Sequence, residues 1–300
     1  MSTMTALLIA AVLIGGAAVP AWAHDASGTA SGSAWPEIVL ALLLAVVVGR
    51  YLDGLSSLRR RARGGRSLLH WRAACFLAGC LALAGALLSP LHGLAERFFW
   101  VHMIEHELLM VVAAPLLVAA RPAAVLLWSL PLAWRTGLSA GLVGSTFRRL
   151  WDVATRPLVA WSLHTVALWL WHLPSLFDAA IENEFVHALQ HTTFLAAAIA
   201  YWSSLLRARH GLASRGAAVF SLFATSMQCG VLGALLALAN RPLYAAYTRA
   251  PALDPVIDQH LAGLVMWVPV SIVYGVAAIP LLLAWLREAD GRVRRWEARL

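Results

Sequence analysis

Two pairs of histidines, each with its members four residues apart, are the part of this sequence best suited to chemistry. One pair is His102 and His106, and the other is His187 and His191. In an α-helix, residues four apart lie on the same face, about one turn from each other. Two imidazoles in that arrangement can bind one metal ion, or one can bind while the other orients it. The spacing therefore predicts a metal site or a cofactor site.

Histidines outside the two pairs extend the candidate site. The candidate metal ligands are His102, His106, His172, His187, His191 and His260. Glu105 and Asp258 are candidates for orienting these imidazoles or for accepting the protons that metal binding releases. Met103 shares the histidine face of its helix and suits a soft Cu(I) ion, although a methionine in an apolar helix also fits simple packing. His92 is a weaker candidate than the others.

Other chemistries fit parts of the histidine pattern. The residues from His102 to His106 spell HxxEH, the inverted zinc-peptidase signature, but they lie in an apolar segment and no third-ligand motif accompanies them. Histidine pairs on facing helices can also supply the two axial ligands of a haem. A proton relay, or plain packing, would use the same residues without any cofactor. The sequence favours a metal site, with haem as the alternative cofactor.

The composition indicates the environment of these histidines. Hydrophobic residues make up 61% of the 300 residues, charged residues make up 13%, and the mean hydropathy is +0.73. A single soluble core cannot bury that much apolar surface, so an integral membrane protein is predicted. The formal charge of +8 comes from short arginine clusters between apolar segments, which argues against nucleic-acid binding. The three cysteines fall inside apolar segments, so no disulfide framework is predicted.

Seven apolar segments are long enough to cross a membrane as helices. They cover residues 35–53, 69–89, 98–119, 157–173, 187–206, 216–238 and 259–286. The predicted fold is all-α, a polytopic membrane bundle of seven transmembrane helices over residues 35–286. The stretch 121–156 is apolar but is interrupted by prolines and glycines, which indicates interfacial or half-inserted helices.

The two ends of the chain are predicted to lie outside this bundle. Residues 1–23 resemble a secretory signal peptide, with an apolar stretch followed by a small-residue cleavage pattern at residues 21–23. Cleavage would make His24 the N-terminal residue, where amine and imidazole together can bind copper, whereas retention would add an extra helix. Residues 24–34 form a Gly/Ser-rich linker, and residues 287–300 form a basic tail.

The arginines predict the orientation of the bundle. Most of them fall on one side of the seven-span arrangement, and Arg97, Arg241 and Arg249 fall on the other. Basic residues are retained on the cytoplasmic side of a membrane. The chain is therefore predicted to span the cytoplasmic (inner) membrane of a bacterium, with its N-terminus on the outer side and its C-terminus in the cytoplasm. His106 and His191 then lie on the order of 6 to 12 Å below the outer ends of their helices, at about 1.5 Å per residue.

Three parts of the chain resemble one known family. They are the run HMIEHELLMVVAAPLL at residues 102–117, the pair WHLP (171–174) and HALQH (187–191), and DQHLAG (258–263) followed by Met-Trp. Together they are similar to the CtaG-type cytochrome c oxidase assembly factor family, polytopic membrane proteins associated with oxidase maturation. The likeness covers roughly residues 35–285, in the order and with the topology of the family.

The resemblance implies a role in building the oxidase by binding or delivering copper on the outer side of the membrane. It carries over to His102, His106, His172, His187, His191, Asp258 and His260. The implied partners are a cytochrome c oxidase subunit, the copper ion and membrane lipid. The implied action is ligand exchange and not catalysis, so the chain is not expected to be an enzyme.

Two other functions stay open at the level of sequence. One is a haem-binding or quinone-linked membrane electron carrier, which would show a Soret band. The other is a metal permease, which needs polar groups through the cytoplasmic half of the membrane. The sequence offers mainly His164, Gln228 and Cys229 there. If the protein is purely a structural scaffold, the oxidase should mature normally after these histidines are substituted.

Overall fold

A computed structural model describes residues 35–61, 65–135, 145–207, 212–249 and 251–298. Helices make up nearly all of these residues, and none of them forms a β-strand. The all-α prediction is confirmed. The predicted signal peptide (1–23) and linker (24–34) lie outside the described residues.

The described helices follow one another with short connections. In chain order they are α1 (Trp35–Arg61), α2 (Arg66–Leu87), α3 (Pro90–Ala95), α4 (Phe99–Glu107), α5 (Ala114–Ala120), α6 (Pro122–Trp128), α7 (Ser145–Ala154), α8 (Pro157–Trp171), α9 (Pro174–Glu182), α10 (Glu184–Arg207), α11 (Leu212–Leu238) and α12 (Pro255–Glu297). A π-helix, Leu108–Ala113, joins α4 to α5, and a 3-10 helix, Ala245–Thr248, lies between α11 and α12.

Five helical segments are long and apolar enough to cross a membrane. They are Glu37–Arg61, Arg66–Leu87, Phe99–Ala120, Arg215–Leu238 and Pro255–Glu297. Helices α8 and α10 coincide with the two remaining predicted spans, and α8 is apolar but has only 15 residues. The chain is a multi-pass membrane bundle, while the number of seven crossings stays a prediction. Helix α12 has 43 residues, about twice the length that a ~30 Å hydrocarbon core requires.

The segment Phe99–Ala120 lies at the centre of the bundle. In its most apolar stretch 61% of the residues are buried, against 33% or less in the four other long spans. It consists of α4, the π-helix and α5, and it packs against α2, α10 and α12. Because this segment carries His102 and His106, the candidate site begins in the most enclosed part of the molecule.

Pro115 explains the π-helix in the middle of this segment. Proline has no N–H group and its ring clashes with a carbonyl one turn earlier, so an unbroken α-helix is disfavoured there. In the wider π-helix the Ala114 N–H donates to the Leu109 carbonyl, five residues back. The Met110 carbonyl would pair with Pro115 in this register, and it accepts a hydrogen bond from Trp202 Nε1 at 3.0 Å instead. Trp202, on α10, therefore ties the π-helix to its neighbour.

Two glycines let α11 and α12 cross with their backbones in contact. A Cβ atom on Gly263 would lie 2.5 Å from the Gly233 carbonyl oxygen and 2.6 Å from the Ala237 nitrogen. Small residues at a helix crossing allow this approach, and close van der Waals contact then holds the membrane helices together. The crossing fixes the first turns of α12, which carry Asp258 and His260.

Asp258 connects the start of α12 to the start of α4. Its two carboxylate oxygens accept hydrogen bonds from the backbone N–H groups of Phe99 and Trp100, each at 2.9 Å. The first N–H groups of a helix have no partner within the helix, and a negative charge there interacts favourably with the helix dipole. Because Asp258 is only 3% exposed, water does not replace these bonds. They hold in place the helix that carries His102 and His106.

Substitution of Gly263 by alanine should destabilise the bundle, because the new methyl group collides with the backbone of α11. We expect Gly263→Ala to lower the midpoint of thermal unfolding in detergent, at a cost of about 1–3 kcal/mol as for other overpacked sites. Gly275→Ala on the same helix is the matched control, since nothing lies within 4 Å of its added Cβ atom. Equal midpoints for the two variants would contradict the close crossing.

Substitution of Asp258 by alanine should loosen the start of α4, because two backbone N–H groups lose their acceptor. Each unpaired buried group costs about 1–3 kcal/mol, and we expect a lower free energy of unfolding in detergent. Asp254→Ala is the comparison, since Asp254 caps α12 at an exposed position, where loss of a cap costs about 1 kcal/mol. If Asp258→Ala is no more destabilising than Asp254→Ala, the buried bonds do not hold α4.

Candidate metal centre

The structure gathers six histidines at one end of the bundle. They are His92 on α3, His102 and His106 on α4, His172 just after α8, and His187 and His191 on α10. Neighbouring rings are in contact, with centroids 4.3 to 6.4 Å apart. We call these six residues the histidine cluster. Both HxxxH pairs meet in it, as their matched depth along the helices predicts.

Three of these histidines form the most buried part of the cluster. A ligand atom from each of His102, His106 and His191 lies within 4.8 Å of the other two, and the residues are 1%, 1% and 5% exposed. Nitrogens that bind one ion at about 2.0 Å lie about 3.3 Å apart in tetrahedral geometry. Small rotations of the rings would therefore complete a three-nitrogen site. We call these residues the inner triad.

Glu105 lies among the rings of the cluster. One carboxylate oxygen, Oε1, is 3.0 Å from His92 Nδ1. The other, Oε2, is 3.9 Å from His102 Nδ1 and 4.0 Å from His191 Nε2. The hydrogen bond to Glu105 raises the pKa of the His92 imidazole above its ordinary value, against the lowering effect of burial. One carboxylate thus lies between His92 and two members of the inner triad.

A second group of ligand atoms includes Glu105 and shares His102 with the inner triad. His102, Glu105 and His187 each offer an atom within 4.8 Å of the other two. The His187 ring stacks on the rings of His102 and His92, with centroids 5.1 and 5.5 Å apart. The His92 side chain is 26% exposed, and His187 is partly exposed. This second group therefore leads from the triad towards the surface.

Many ring nitrogens of the cluster have no hydrogen-bond partner within the described parts of the chain. They are both nitrogens of His102 and of His106, and Nε2 of His172, His187 and His191. His172 Nδ1 lies 2.7 Å from the Leu168 carbonyl oxygen, and because a carbonyl only accepts, Nδ1 carries the proton. That leaves Nε2 with a free lone pair, which is the state that binds a metal.

Three predicted members of the site lie apart from the cluster. His260 Nε2 is 3.1 Å from the Ala239 carbonyl oxygen. Among the described residues, two sets of ligand atoms are close enough together to bind one metal ion, and His260 belongs to neither set. Asp258 uses both carboxylate oxygens on backbone N–H groups of α4, so it positions this helix. Met103 is buried in the apolar core, one residue and about 100° round the helix from His102. The depth of a residue along its helix gives its position along the bundle axis, but it does not give the direction in which the side chain points around that axis.

Aromatic side chains cover the cluster on one side. Phe177 packs edge-on against His102 at a centroid distance of 5.3 Å, and Tyr244 packs on Phe177 at 4.2 Å. The Tyr244 hydroxyl donates a hydrogen bond to the His172 carbonyl at 3.0 Å. Asp178 accepts bonds from two backbone N–H groups of the 3-10 helix, at 3.2 and 3.0 Å. The connection between α11 and α12 is thereby held over the buried histidines.

A further set of polar side chains is buried deeper in the bundle. His164 Nε2 lies 3.4 Å from the Tyr274 hydroxyl, and the His164 ring stacks on Tyr201 at 5.0 Å. Glu107 Oε2 is buried without a hydrogen-bond partner among the described residues, within long-range electrostatic influence of Cys229 and Tyr274. These five side chains come from α4, α8, α10, α11 and α12. We call them the deep polar group.

His92 is the member of the cluster that the sequence ranks lowest, yet the structure places it against Glu105. It belongs to α3, a helix of only six residues, which hydropathy cannot orient. The local signal for this helix is a serine at its N-cap followed by proline: Ser89 accepts a hydrogen bond from the Leu91 N–H at 3.1 Å, and Pro90 begins the helix.

Comparisons with known proteins establish the family. The family described as cytochrome c oxidase caa3 assembly factor (Caa3_CtaG) matches residues 49–288. An uncharacterized protein of Mycobacterium bovis and one of Mycobacterium tuberculosis are each 26% identical to the chain over 259 residues, which is 83% of this chain and 38% of theirs. The chain thus spans well under half the length of these curated relatives, and no solved structure matches it. The family match includes every histidine of the cluster, and the chain belongs to the cytochrome c oxidase caa3 assembly factor family.

Proposed function

We propose that this protein binds copper in the histidine cluster and supplies or stabilises the metal during assembly of cytochrome c oxidase. The chemistry is ligand exchange, in which the ligands of an oxidase subunit replace the imidazoles that hold the ion. The observation that carries the proposal is the convergence of His102, His106 and His191 on one buried point. The family supports the choice of partner, because it is described as an assembly factor for this oxidase.

Unpaired nitrogens inside an apolar bundle favour a bound ion over a purely structural role. A buried polar atom without a partner costs about 1–3 kcal/mol. The inner triad has two such nitrogens on each of His102 and His106 and one on His191, counting partners among the described residues. An ion bound by one nitrogen of each ring removes part of that cost. Neutral imidazoles are also the protonation state that metal binding requires.

The packing of the rings favours an ion over a haem. Two axial histidines bind a haem from opposite faces, so a flat macrocycle must fit between them. The rings of His102 and His106 are 4.4 Å apart, and those of His106 and His191 are 5.2 Å apart, between centroids. Rings in direct contact leave no space for a macrocycle. Imidazole suits both copper and zinc, and the likeness to oxidase assembly factors supports the choice of copper in this proposal.

The proposal places the histidine cluster at the outer face of a bacterial inner membrane. The last turn of α1 carries Arg59, Arg60 and Arg61, and the last turn of α12 carries Arg294 and Arg295. Both helices end away from the histidine cluster, since α2 runs back to α3 and α12 begins beside α4. Basic residues at that end support a cytoplasmic location for it. Lipid would surround the bundle, and the oxidase subunit would dock beside it in the membrane.

The deep polar group favours a second candidate function, a metal permease. A permease needs polar side chains beyond its outer site, along the path through the membrane. Glu107 follows His106 directly in α4, and the contact between His164 and Tyr274 lies deeper in the bundle. In this case the histidine cluster would be the outer end of a pathway.

The double variant His106→Ala/His191→Ala should lose the copper that the wild-type protein retains after washing with chelator. Two of the three triad nitrogens are removed, and we expect copper per protein, measured by elemental analysis, to fall roughly tenfold or more. His260→Ala is the matched control, because His260 lies at the same end of the bundle but bonds to a backbone carbonyl. Equal copper in the double variant and the wild type would remove the site assignment.

The same variants should separate an assembly function from a scaffold in cells. We expect the double variant to accumulate in the membrane at wild-type level and to lower cytochrome c oxidase activity, while His260→Ala supports normal activity. The reason is that ligand exchange needs the triad nitrogens, whereas a scaffold needs only the fold. Normal oxidase activity with the double variant would favour the scaffold.

Glu107→Gln should distinguish delivery at the outer face from transport across the membrane. The substitution removes the carboxyl group of the deep polar group but leaves the inner triad intact. A permease is expected to lose uptake of radioactive copper into proteoliposomes without loss of bound copper. A delivery factor is expected to show no protein-dependent uptake in either form, which would eliminate the permease.

A further inference from the structure

We infer that the histidine cluster holds copper at two adjacent positions that share His102. The inner position is the inner triad. The outer position is formed by His102, Glu105 and His187, and His92 contacts Glu105 from the exposed side. This inference rests on the proposed copper function, and it adds the route by which an ion reaches the buried triad.

The number of donor groups in the cluster exceeds the need of a single ion. Sites built from imidazole bind copper or zinc with about four ligands, whereas six imidazoles and one carboxylate converge here. The ligand atoms divide into two overlapping sets, one at the inner triad and one at His102, Glu105 and His187. Two compact sets of ligands that share one residue fit two neighbouring metal positions better than they fit one large site.

Exposure to solvent differs sharply between the two positions. The side chain of His92 is 26% exposed and His187 is partly exposed, whereas His102, His106 and His191 are 1%, 1% and 5% exposed. Phe177 and Tyr244 cover the cluster on another side. An ion from solution therefore meets the outer position first, and the triad is reached through it.

Glu105 lies between the two positions. Its Oε1 lies 3.0 Å from His92 Nδ1, and its Oε2 lies 3.9 Å from His102 Nδ1 and 4.0 Å from His191 Nε2. An ion held by Glu105 and His187 can gain a triad nitrogen before it leaves the outer ligands. No covalent bond within the protein breaks and nothing is oxidised. Protons displaced from the ligands leave to water at the exposed edge of His92.

The outer position should bind more weakly than the triad, because it is partly open to water and combines fewer nitrogens. Titration of the purified protein in detergent with Cu(I), in competition with a coloured Cu(I) chelator, should then show two phases in the wild type. His92→Ala is expected to weaken the second phase roughly tenfold, as loss of a supporting ligand does, and to slow the filling of the first. His106→Ala/His191→Ala is expected to lose the tight phase and keep the weak one.

Two controls keep the test independent of misfolding. His260→Ala should reproduce both phases, and each variant is compared with the wild type for its midpoint of thermal unfolding. X-ray absorption at the copper edge needs no variant: the second ion should add oxygen ligands from Glu105 to the nitrogen ligands of the first. Identical spectra at low and full loading would overturn the outer position.

The outcomes separate this inference from the copper function itself. A single phase in the wild type, with unchanged filling in His92→Ala, would overturn the two positions and leave copper binding by the triad intact. Absence of Cu(I) binding in the wild type would overturn both. Two phases that respond separately to the two sets of substitutions would establish the route from outer to inner position.

Discussion

Burial of imidazole in an apolar helix bundle is the constraint on which this site depends. Water cannot reach the nitrogens of His102 and His106, and the described residues supply them with no hydrogen-bond partner. A polar atom in that situation is stable only if something else satisfies it. A metal ion is the partner that suits several convergent neutral imidazoles at once. The candidate function follows from this need for compensation.

The helix that presents this pair is fixed at both ends by polar contacts of its backbone. At its start, Asp258 accepts hydrogen bonds from the first two N–H groups of α4. After its end, Trp202 donates to the Met110 carbonyl that the π-helix leaves free. A site built from several helices needs such restraints, because a metal tolerates only small errors in the positions of its ligands. The packing of α4 is thus part of the site.

Two local sequence signals needed no knowledge of the fold: the apolar segments predicted the helices, and the four-residue spacing predicted the histidine pairs. Hydropathy and length located the helices that carry the two histidine pairs, and the four-residue spacing placed His102 beside His106 and His187 beside His191. These features are local, since a helix fixes its own periodicity whatever surrounds it. The resemblance to oxidase assembly factors also lay in short motifs on these helices, and the family match confirms it.

Tertiary structure alone decided which side chains share one site. His260 lies at the predicted end of α12, but the rotation of that helix directs its imidazole to the Ala239 carbonyl. His92 sits in a six-residue helix without a hydropathy signal, and the fold brings it to Glu105. Sequence specifies the depth of a residue along its helix. The rotation of each helix and the course of each connection depend on packing against the others, which are distant in the chain.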